Sequence, residues 1–194
     1  MKRRRSTKNP MTSLERRSVS ALAGVFGLRM LGLFLILPVF ALYAEQLQGN
    51  TAFLTGVAIG AYGLTQAVFQ IPFGLLSDKF GRKPVIAAGL LIFAIGSIVA
   101  AMADSITGVI IGRALQGTGA IAAAVIALAS DLTREEQRTK AMAVIGMTIG
   151  LAFFVALMLG PLLDRVIGVP GIFWLTAILA ALAIVVVYRA VPTP

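Results

Sequence analysis

The chain contains no histidine and no cysteine, and only eight of its 194 residues are acidic. Without imidazole or thiol groups it cannot build thiolate or imidazole catalysis, the usual kind of zinc site or a disulfide framework. Charged residues are scarce at 13%, whereas 58% of the residues are hydrophobic and 20 are glycine. This composition is too apolar for a water-soluble domain of this size. It predicts a polytopic membrane protein with no enzymatic activity and no cofactor.

Stretches that are nearly free of charge recur along the chain. A helix that crosses a bilayer needs about 20 apolar residues at ~1.5 Å each. The sequence therefore predicts an all-α bundle of six transmembrane helices over residues 18–189. The predicted spans 1 to 6 are 18–44, 52–77, 84–103, 105–130, 139–163 and 169–189. A basic tail at 1–17 precedes them, and 190–194 is expected to begin a cytoplasmic linker.

The basic residues are unevenly distributed between the two sides of this bundle. Of the 17 Lys and Arg residues, 14 fall in the tail, in the loops after spans 2 and 4, and after span 6, whereas only Arg165 falls on the opposite side. This asymmetry indicates cytoplasmic termini. The net charge of +9 therefore reports topology, and we expect the lipid bilayer rather than nucleic acid as partner. A cleaved signal peptide is disfavoured because the first apolar run is too long and contains Arg29.

The two halves of the bundle carry similar patterns. Residues 74–81 and 160–168 both read as a glycine, three residues, an aspartate, a cation and then a glycine. Spans 1 and 4 each contain one embedded arginine, Arg29 and Arg113. Because three spans are an odd number, the second trio must enter the membrane from the opposite face. The pattern predicts a 3+3 inverted repeat, which is typical of transporters, with chance matching of common residues as the alternative.

Polar residues share faces of the predicted helices. Tyr62, Gln66 and Gln70 fall on one arc of span 2, and Arg113 and Gln116 share a stripe of span 4. Lipid cannot satisfy such groups, so they face a cavity or another helix. An embedded arginine costs about 2.5–3.5 kcal/mol and usually marks a pathway or a buried partner. The candidate cavity or coupling residues are Arg29, Tyr62, Gln66, Gln70, Arg113 and Gln116, with simple interhelical hydrogen bonding as the alternative.

None of the acidic residues lies in the middle of a predicted span. The two embedded arginines are therefore expected to be neutralised by substrate, water, glutamine or carbonyl oxygens, or by a part of the molecule outside this chain. No carboxylate proton relay is visible in mid-membrane.

The loop after span 2 carries the strongest local motif, which reads GLLSDKFGRKP over residues 74–84. Arg82 lies at the positive end of the following helix, an unfavourable place unless an acid offsets it. Asp78 and Asp131 lie at the same predicted membrane surface. We therefore predict a charge cluster of Asp78, Arg82 and Asp131, with a solvated loop as the alternative.

Segment 74–84 resembles the loop 2/3 signature of the major facilitator superfamily, and IGRALQGTGA at 111–120 resembles its helix 4 signature. The wider sequence, from about residue 15 to 192, is similar to a YajR-like efflux branch of bacterial proton-coupled transporters. The resemblance implies one half of a twelve-helix fold that works by alternating access. It also implies a bacterial inner-membrane location, a second six-helix half as partner, and a proton gradient as energy source.

The resemblance also implies roles for individual residues. Arg113 would line the cavity and influence proton coupling. Gly160 and Pro161 would belong to the helix 5 signature of antiporters, although Asp164 and Arg165 replace its following glycine pair. A cytoplasmic latch would stabilise the outward-open state, and its residues are Gly74, Asp78, Gly81, Arg82, Lys83 and Asp131.

The preferred functional hypothesis is the N-terminal half of a secondary transporter that exports small-molecule substrates, cationic or lipophilic ones among them, against proton entry. Because one copy of six helices cannot form a complete central cavity, we expect the chain to be an isolated half, a truncated product or a dimerising half-transporter. The alternatives are an oligomeric channel of six-helix units and a non-transporting half that needs a partner half.

Overall fold

The computed structural model describes residues 10–192, which are helical apart from short turns and one isolated bridge between Gln48 and Ser105. The all-α prediction is confirmed for this part of the chain. Most of the basic tail and the last two residues lie outside the described residues. The helices are α1 (Ser13–Leu35), α2 (Phe40–Ala44), α3 (Ala52–Phe80), α4 (Arg82–Ala101), α5 (Ile106–Thr118), α6 (Ala122–Asp131) and α7 (Glu135–Ala190).

Five helical stretches are long and apolar enough to cross a membrane: α1, α3, α4, α5 with α6, and α7. Helix α7 has 56 residues, which at 1.5 Å per residue is about 84 Å, far longer than a bilayer core of about 30 Å. Its helical geometry is interrupted at Gly168, where φ is 67° and ψ is 172°. Glycine adopts this positive φ without the penalty that a Cβ would bring. Helix α7 therefore consists of two runs, 135–167 and 169–190.

The first run of α7 lies parallel to α1. Gly27 of α1 lies against Thr148, where a Cβ added to the glycine would be 2.5 Å from Thr148 Cγ2. Gly160 lies against Leu35, where an added Cβ would be 2.7 Å from the Leu35 carbonyl oxygen. Residue numbers therefore rise together along both helices.

The second run of α7 lies antiparallel to α1. The Thr176 hydroxyl donates to the Gly32 carbonyl at 3.0 Å, and at the other end the Arg17 guanidinium donates to the Arg189 carbonyl at 3.5 Å. The chain therefore reverses direction at Gly168, as the predicted loop between spans 5 and 6 requires.

The structure divides the predicted span 18–44. Helix α1 begins earlier, at Ser13, because Thr12 and Glu15 form a capping box that satisfies its first N–H groups. It ends at Leu35, and a turn over 36–39 leads into α2. Pro38 accounts for this break, since proline has no N–H and its ring clashes with the preceding helical turn.

The predicted span 105–130 is divided as well. Residues 119–121 are not helical and separate α5 from α6. Gly119 at this break lies in contact with the carbonyl oxygen of Gly89 in α4, closer than a side chain there would permit. For the other predicted spans, α3 continues to Phe80, α4 covers Arg82–Ala101, and the two runs of α7 cover 135–167 and 169–190.

Glycine allows the inner helices to approach closely. A Cβ on Gly96 of α4 would lie 2.5 Å from the backbone nitrogen of Gln116, and one on Gly112 of α5 would lie 2.6 Å from that of Ala100. Such small residues let helix backbones meet where lipid supplies no hydrophobic driving force. Large apolar side chains of α3, α4 and α7 are exposed on the outside, as expected for a surface covered by acyl chains.

Candidate functional site

Arg29 of α1 lies at the centre of the bundle and has no exposed surface. Its Nη2 donates to Gln66 Oε1 of α3 at 3.2 Å and to the Gly119 carbonyl at 3.1 Å. The side chain thus joins α1 to α3 and to the break that follows α5. The carbonyl end of a helix carries partial negative charge, so the end of α5 is a favourable place for a cation.

Two aromatic rings surround the guanidinium groups. The Arg29 Cζ lies 5.1 Å from the centroid of Phe93 and 5.8 Å from that of Tyr62. The Arg113 Cζ lies 5.1 Å from the Tyr62 centroid, and the Tyr62 and Phe93 rings meet edge to face at 6.4 Å. Each desolvated cation–π contact is worth up to about 2 kcal/mol. Tyr62 therefore makes a cation–π contact with both arginines.

Arg113 of α5 is 2% exposed and begins a buried hydrogen-bond chain. Its Nη1 donates to Gln116 Oε1 at 3.0 Å, Gln116 Nε2 donates to Ser97 Oγ at 2.7 Å, and Ser97 Oγ donates to the Phe93 carbonyl at 2.8 Å. The chain joins α5 to α4. Sequence reasoning missed Ser97, because a lone serine in an apolar span gives no signal until its partner is known.

Five of the six predicted cavity residues meet at this centre: Arg29, Tyr62, Gln66, Arg113 and Gln116. Gln70 forms no bond to them, and its buried Oε1 has no hydrogen-bond partner among the described residues. Within residues 10–192, no carboxylate forms an ion pair with either arginine. Glutamine, carbonyl and aromatic groups are the neutralising partners that this part of the chain supplies.

A second polar site lies at the C-terminal end of α3. We call it the Arg82 cluster, and it consists of Ser77, Asp78, Arg82 and Asp131. Arg82 pairs with Asp78 one turn earlier and with Asp131 Oδ2 at 3.2 Å. Its Nη1 also donates to Ser77 Oγ at 2.7 Å. The cluster joins α3, α4 and α6, and brings together the three residues that sequence analysis grouped.

The glycines of the same motif shape this corner. Gly81 has φ 92° and ψ 148°, so it turns the chain between α3 and α4 in a conformation that other residues rarely adopt. Gly74 lies against Ala123 of α6, and its carbonyl accepts a hydrogen bond from Ser77 at 2.7 Å. Lys83 points elsewhere and donates to the Val191 carbonyl.

A third polar contact, between Glu15 and Arg134, was not predicted. The buried Glu15 carboxylate accepts from Arg134 Nε at 2.9 Å, Nη2 at 3.0 Å and the backbone N–H at 3.0 Å. It also accepts from the Thr12 N–H at 2.7 Å. This contact ties the start of α1 to the residue that precedes α7. Sequence analysis placed Glu15 in the basic tail, and no local pattern reveals a partner 119 positions away.

The hydrogen bonds change the acidity of both groups, which lie outside the predicted spans. The Arg134 side chain and then its backbone N–H hold the pKa of the Glu15 carboxyl well below its usual range. The same side-chain hydrogen bond raises the pKa of Arg134. Both groups are therefore held in their charged forms.

Gly160 and Pro161 lie next to the break in the first predicted span. A Cβ on Gly160 would lie 2.7 Å from the Leu35 carbonyl oxygen and 2.7 Å from Pro38 Cγ. Helix α7 continues through Pro161. The pair is therefore placed against the turn between α1 and α2, away from both arginines.

Comparison with known proteins gives a consistent result. Residues 22–194 match the Major Facilitator Superfamily. The chain is 58% identical over 182 residues to the inner membrane transport protein YajR of Escherichia coli strain K12, covering 94% of this chain and 40% of YajR. It is 32% identical over 139 residues to the class H tetracycline resistance protein of Pasteurella multocida, covering 70% of this chain and 35% of that protein.

A solved structure shows the same fold. The POT family transporter PepTSo aligns with a TM-score of 0.79 at 18% identity, over 95% of this chain and 39% of that chain. The chain therefore spans about 40% of the length of the relatives that it matches.

Proposed function

The chain belongs to the major facilitator superfamily, and from this premise we propose that it forms the N-terminal six-helix half of a secondary transporter that works by alternating access. This family consists of membrane transporters rather than enzymes. The observation that carries the proposal is the pair of buried guanidinium groups, Arg29 and Arg113, inside otherwise apolar helices. Charges at such positions are costly and mark a transport pathway or a buried partner.

The proposed topology has six spans arranged as a 3+3 inverted repeat. The opposite directions of the two runs of α7 relative to α1 support it, because they supply the sixth crossing. The contact of Arg17 with the Arg189 carbonyl supports placing the two ends of the bundle at one surface. The excess of basic residues at that surface supports placing it on the cytoplasmic side, and a bacterial inner membrane is the proposed location.

The Arg82 cluster is proposed to act as a latch on the cytoplasmic side that stabilises the outward-open state. Its two ion pairs link α3, α4 and α6 through a single arginine. Separating these helices would leave Arg82 without Asp131. Gly74 and Gly81 serve the latch through close packing and a positive φ.

A second six-helix half is proposed to cover α3. Only 11% of the most apolar 18-residue stretch of α3 is buried, against 67% of the corresponding stretch of α1. The exposed face of α3 presents Leu64, Ile71 and Leu75, whereas Gln66 lies on the opposite side of the helix, where it contacts Arg29. We propose that the second half packs on this long apolar face, because the rest of the described chain leaves it uncovered.

The proposed direction is export driven by proton entry. The relative from Pasteurella multocida is named for tetracycline resistance, which supports export of a small molecule. Arg113 is proposed to influence proton coupling, through the hydrogen-bond chain that ends at the Phe93 carbonyl. Gly160 and Pro161 are proposed to let the first run of α7 move against the turn between α1 and α2.

The test is flux through proteoliposomes under an imposed pH gradient, with tetracycline and benzoate as separate probes. The chain is reconstituted alone and together with a second half taken from the matching relative. When the second half is present, we expect the parent chain to support saturable flux that a protonophore abolishes. Arg113→Ala should show no such flux. Lys140→Gln, which removes one exposed charge, is the control and should transport normally.

Two results would contradict the proposal. If the protein is folded but neither preparation shows gradient-dependent flux, the transporter proposal is wrong. Conductance that does not saturate would instead favour a channel of six-helix units.

A further inference from the structure

We propose that Arg29 and Arg113 form a binding site for an oxyanion, a carboxylate or phosphate group of the transported compound, so that the substrates are anionic rather than cationic. This inference rests on the proposed function, because it names the substrate class that the same polar centre would bind. It differs from the expectation of cationic or lipophilic compounds that the sequence alone suggests.

The first step is the charge of the site. Arginine remains protonated under all ordinary conditions, so the two side chains bring two positive charges within 5.8 Å of one Tyr62 ring. The acids that this part of the chain pairs are engaged elsewhere, Glu15 with Arg134 and both Asp78 and Asp131 with Arg82. The remaining acidic residues lie near helix ends or in turns. A cationic substrate would add a third like charge to a site of low dielectric.

The second step concerns the hydrogen-bond donors. Arg29 uses only Nη2, while its buried Nε and Nη1 have no hydrogen-bond partner among the described residues. The buried Tyr62 hydroxyl also has none within this part of the chain. Buried donors without acceptors are costly. A carboxylate offers about four acceptor positions and a negative charge, so an oxyanion could accept from at least one of these donors and offset the guanidinium charge, whereas a cation could accept from none of them.

The third step is orientation. Gln66 Oε1 and the Gly119 carbonyl hold the same Nη2 atom from two sides. This fixes the plane of the guanidinium while its other two nitrogens stay available. Two carbonyl-type oxygens therefore position Arg29, and only neutral groups, these oxygens and the rings of Tyr62 and Phe93, face its charge.

The experiment measures the thermal midpoint Tm of the 194-residue chain in phosphatidylcholine nanodiscs with three ligands of nearly the same shape: benzoate, neutral benzamide and cationic benzamidinium. Phenyl phosphate distinguishes a phosphate from a carboxylate site. We expect benzoate or phenyl phosphate to raise Tm saturably, by about 3–6 °C at ten times its dissociation constant. Benzamide and benzamidinium should leave Tm unchanged. Equal shifts with all ligands, a larger shift with benzamidinium, or no shift with either anion would overturn the inference.

Variants locate the effect. Arg29→Gln should abolish the anion-dependent shift and Arg29→Lys should weaken it, whereas the exposed-charge control Lys140→Gln should bind as the parent does. Arg29→Gln that binds benzoate as tightly as the parent would overturn the inference. If Arg29→Gln does not fold, the comparison of charged and neutral ligands on the parent decides alone.

Binding and transport fail separately in this design. An anion-specific Tm shift without flux in proteoliposomes supports the site and removes the transport proposal. Proton-driven flux without an anion-specific shift overturns the site and keeps the transport proposal.

Discussion

A single arginine holds three oxygen-bearing side chains together at one end of the bundle. The Arg82 side chain is 20% exposed and that of Asp131 is 42% exposed. A pair so accessible to water contributes about 0–1 kcal/mol to stability. The Arg82 cluster is therefore weak enough to break and reform, which is what a conformational latch requires and a purely structural contact does not.

Replacing Asp131 by Asn removes the charge while keeping the shape of the side chain. We expect Asp131→Asn to change the free energy of unfolding by no more than about 1 kcal/mol and to lower the transport rate of the assembled protein several-fold. Asp78→Asn should act in the same direction. The matched control is Asp164→Asn, the equivalent position of the proposed repeat, for which the described residues offer no ion pair. Unchanged flux in both latch variants would reduce the cluster to an ordinary positive-inside loop.

Glu15 makes the opposite kind of contact, with four N–H donors converging on one buried carboxylate. Because its pKa is lowered in the folded protein, the unfolded chain takes up a proton first as the pH falls. Its contribution to stability is thus complete above the unfolded pKa of about 4.3 and declines below it.

The pH dependence of Tm tests this contact. The difference in Tm between the parent and Glu15→Gln should be constant from pH 7 to 5 and should narrow below about pH 4, because the variant cannot titrate at this position. Arg134→Gln removes the other partner and should show the same narrowing. A difference that persists unchanged to pH 3 would mean that packing rather than the charge of Glu15 holds α1 to α7.

At the scale of helices, close packing of α3 against α5 depends on one glycine. A Cβ on Gly117 would collide with Thr65 Oγ1 and the Tyr62 carbonyl, and Thr65 Oγ1 donates to the Ala114 carbonyl at 2.9 Å. These contacts place Tyr62 between the two arginines. The position of the candidate site is therefore set by helix packing as well as by its own hydrogen bonds.

We expect Gly117→Ala to lower the free energy of unfolding by about 1–3 kcal/mol, the usual cost of overpacking a filled interface. The control is Gly63→Ala on α3, where an added Cβ meets nothing within 4 Å. There the substitution should be neutral or stabilising by up to about 1 kcal/mol. Chemical denaturation of both variants in the same detergent gives the comparison, and equal stabilities would show that α3 and α5 do not pack as described.

The sequence predicted the all-α membrane fold but missed the interruptions within its helices. The intervals between charged residues locate a membrane-crossing segment, but they do not reveal a break in the helix when the residues at the break are uncharged. The non-helical residues 119–121 were therefore not predicted. Pro38 was the visible signal for the turn between α1 and α2. Ser77 and Ser97 were missed because a small polar side chain gains meaning only from a partner on another helix. The grouping of Asp78, Arg82 and Asp131 was predictable, because a cation at the N-terminus of a helix is unfavourable unless an acidic side chain lies nearby.

At the scale of the whole molecule, the polar centre lies where α1, α3, α4 and α5 meet, while α3 remains largely uncovered. The chain spans 40% of YajR, and the uncovered face of α3 is where the proposed second half would complete a cavity. The Arg82 cluster lies at one end of the same helix. A motion of the second half across α3 would therefore act on the cluster and on Gln66 together, which is the coupling that alternating access needs.

The absence of cysteine makes the proposed topology directly measurable, because each introduced cysteine is the only thiol. With an impermeant maleimide, we expect Gln46→Cys and Val166→Cys to react from the outside of intact cells, and Lys140→Cys to react only in inverted vesicles. Val166 is 81% exposed beside the reversal at Gly168, so its side of the membrane reports whether the two runs of α7 cross separately. Leu157→Cys, within the first run, is the control and should stay unlabelled from either side. Labelling of Val166→Cys from the same side as Lys140→Cys would exclude two crossings within α7, and with them the six-span arrangement and the inverted repeat.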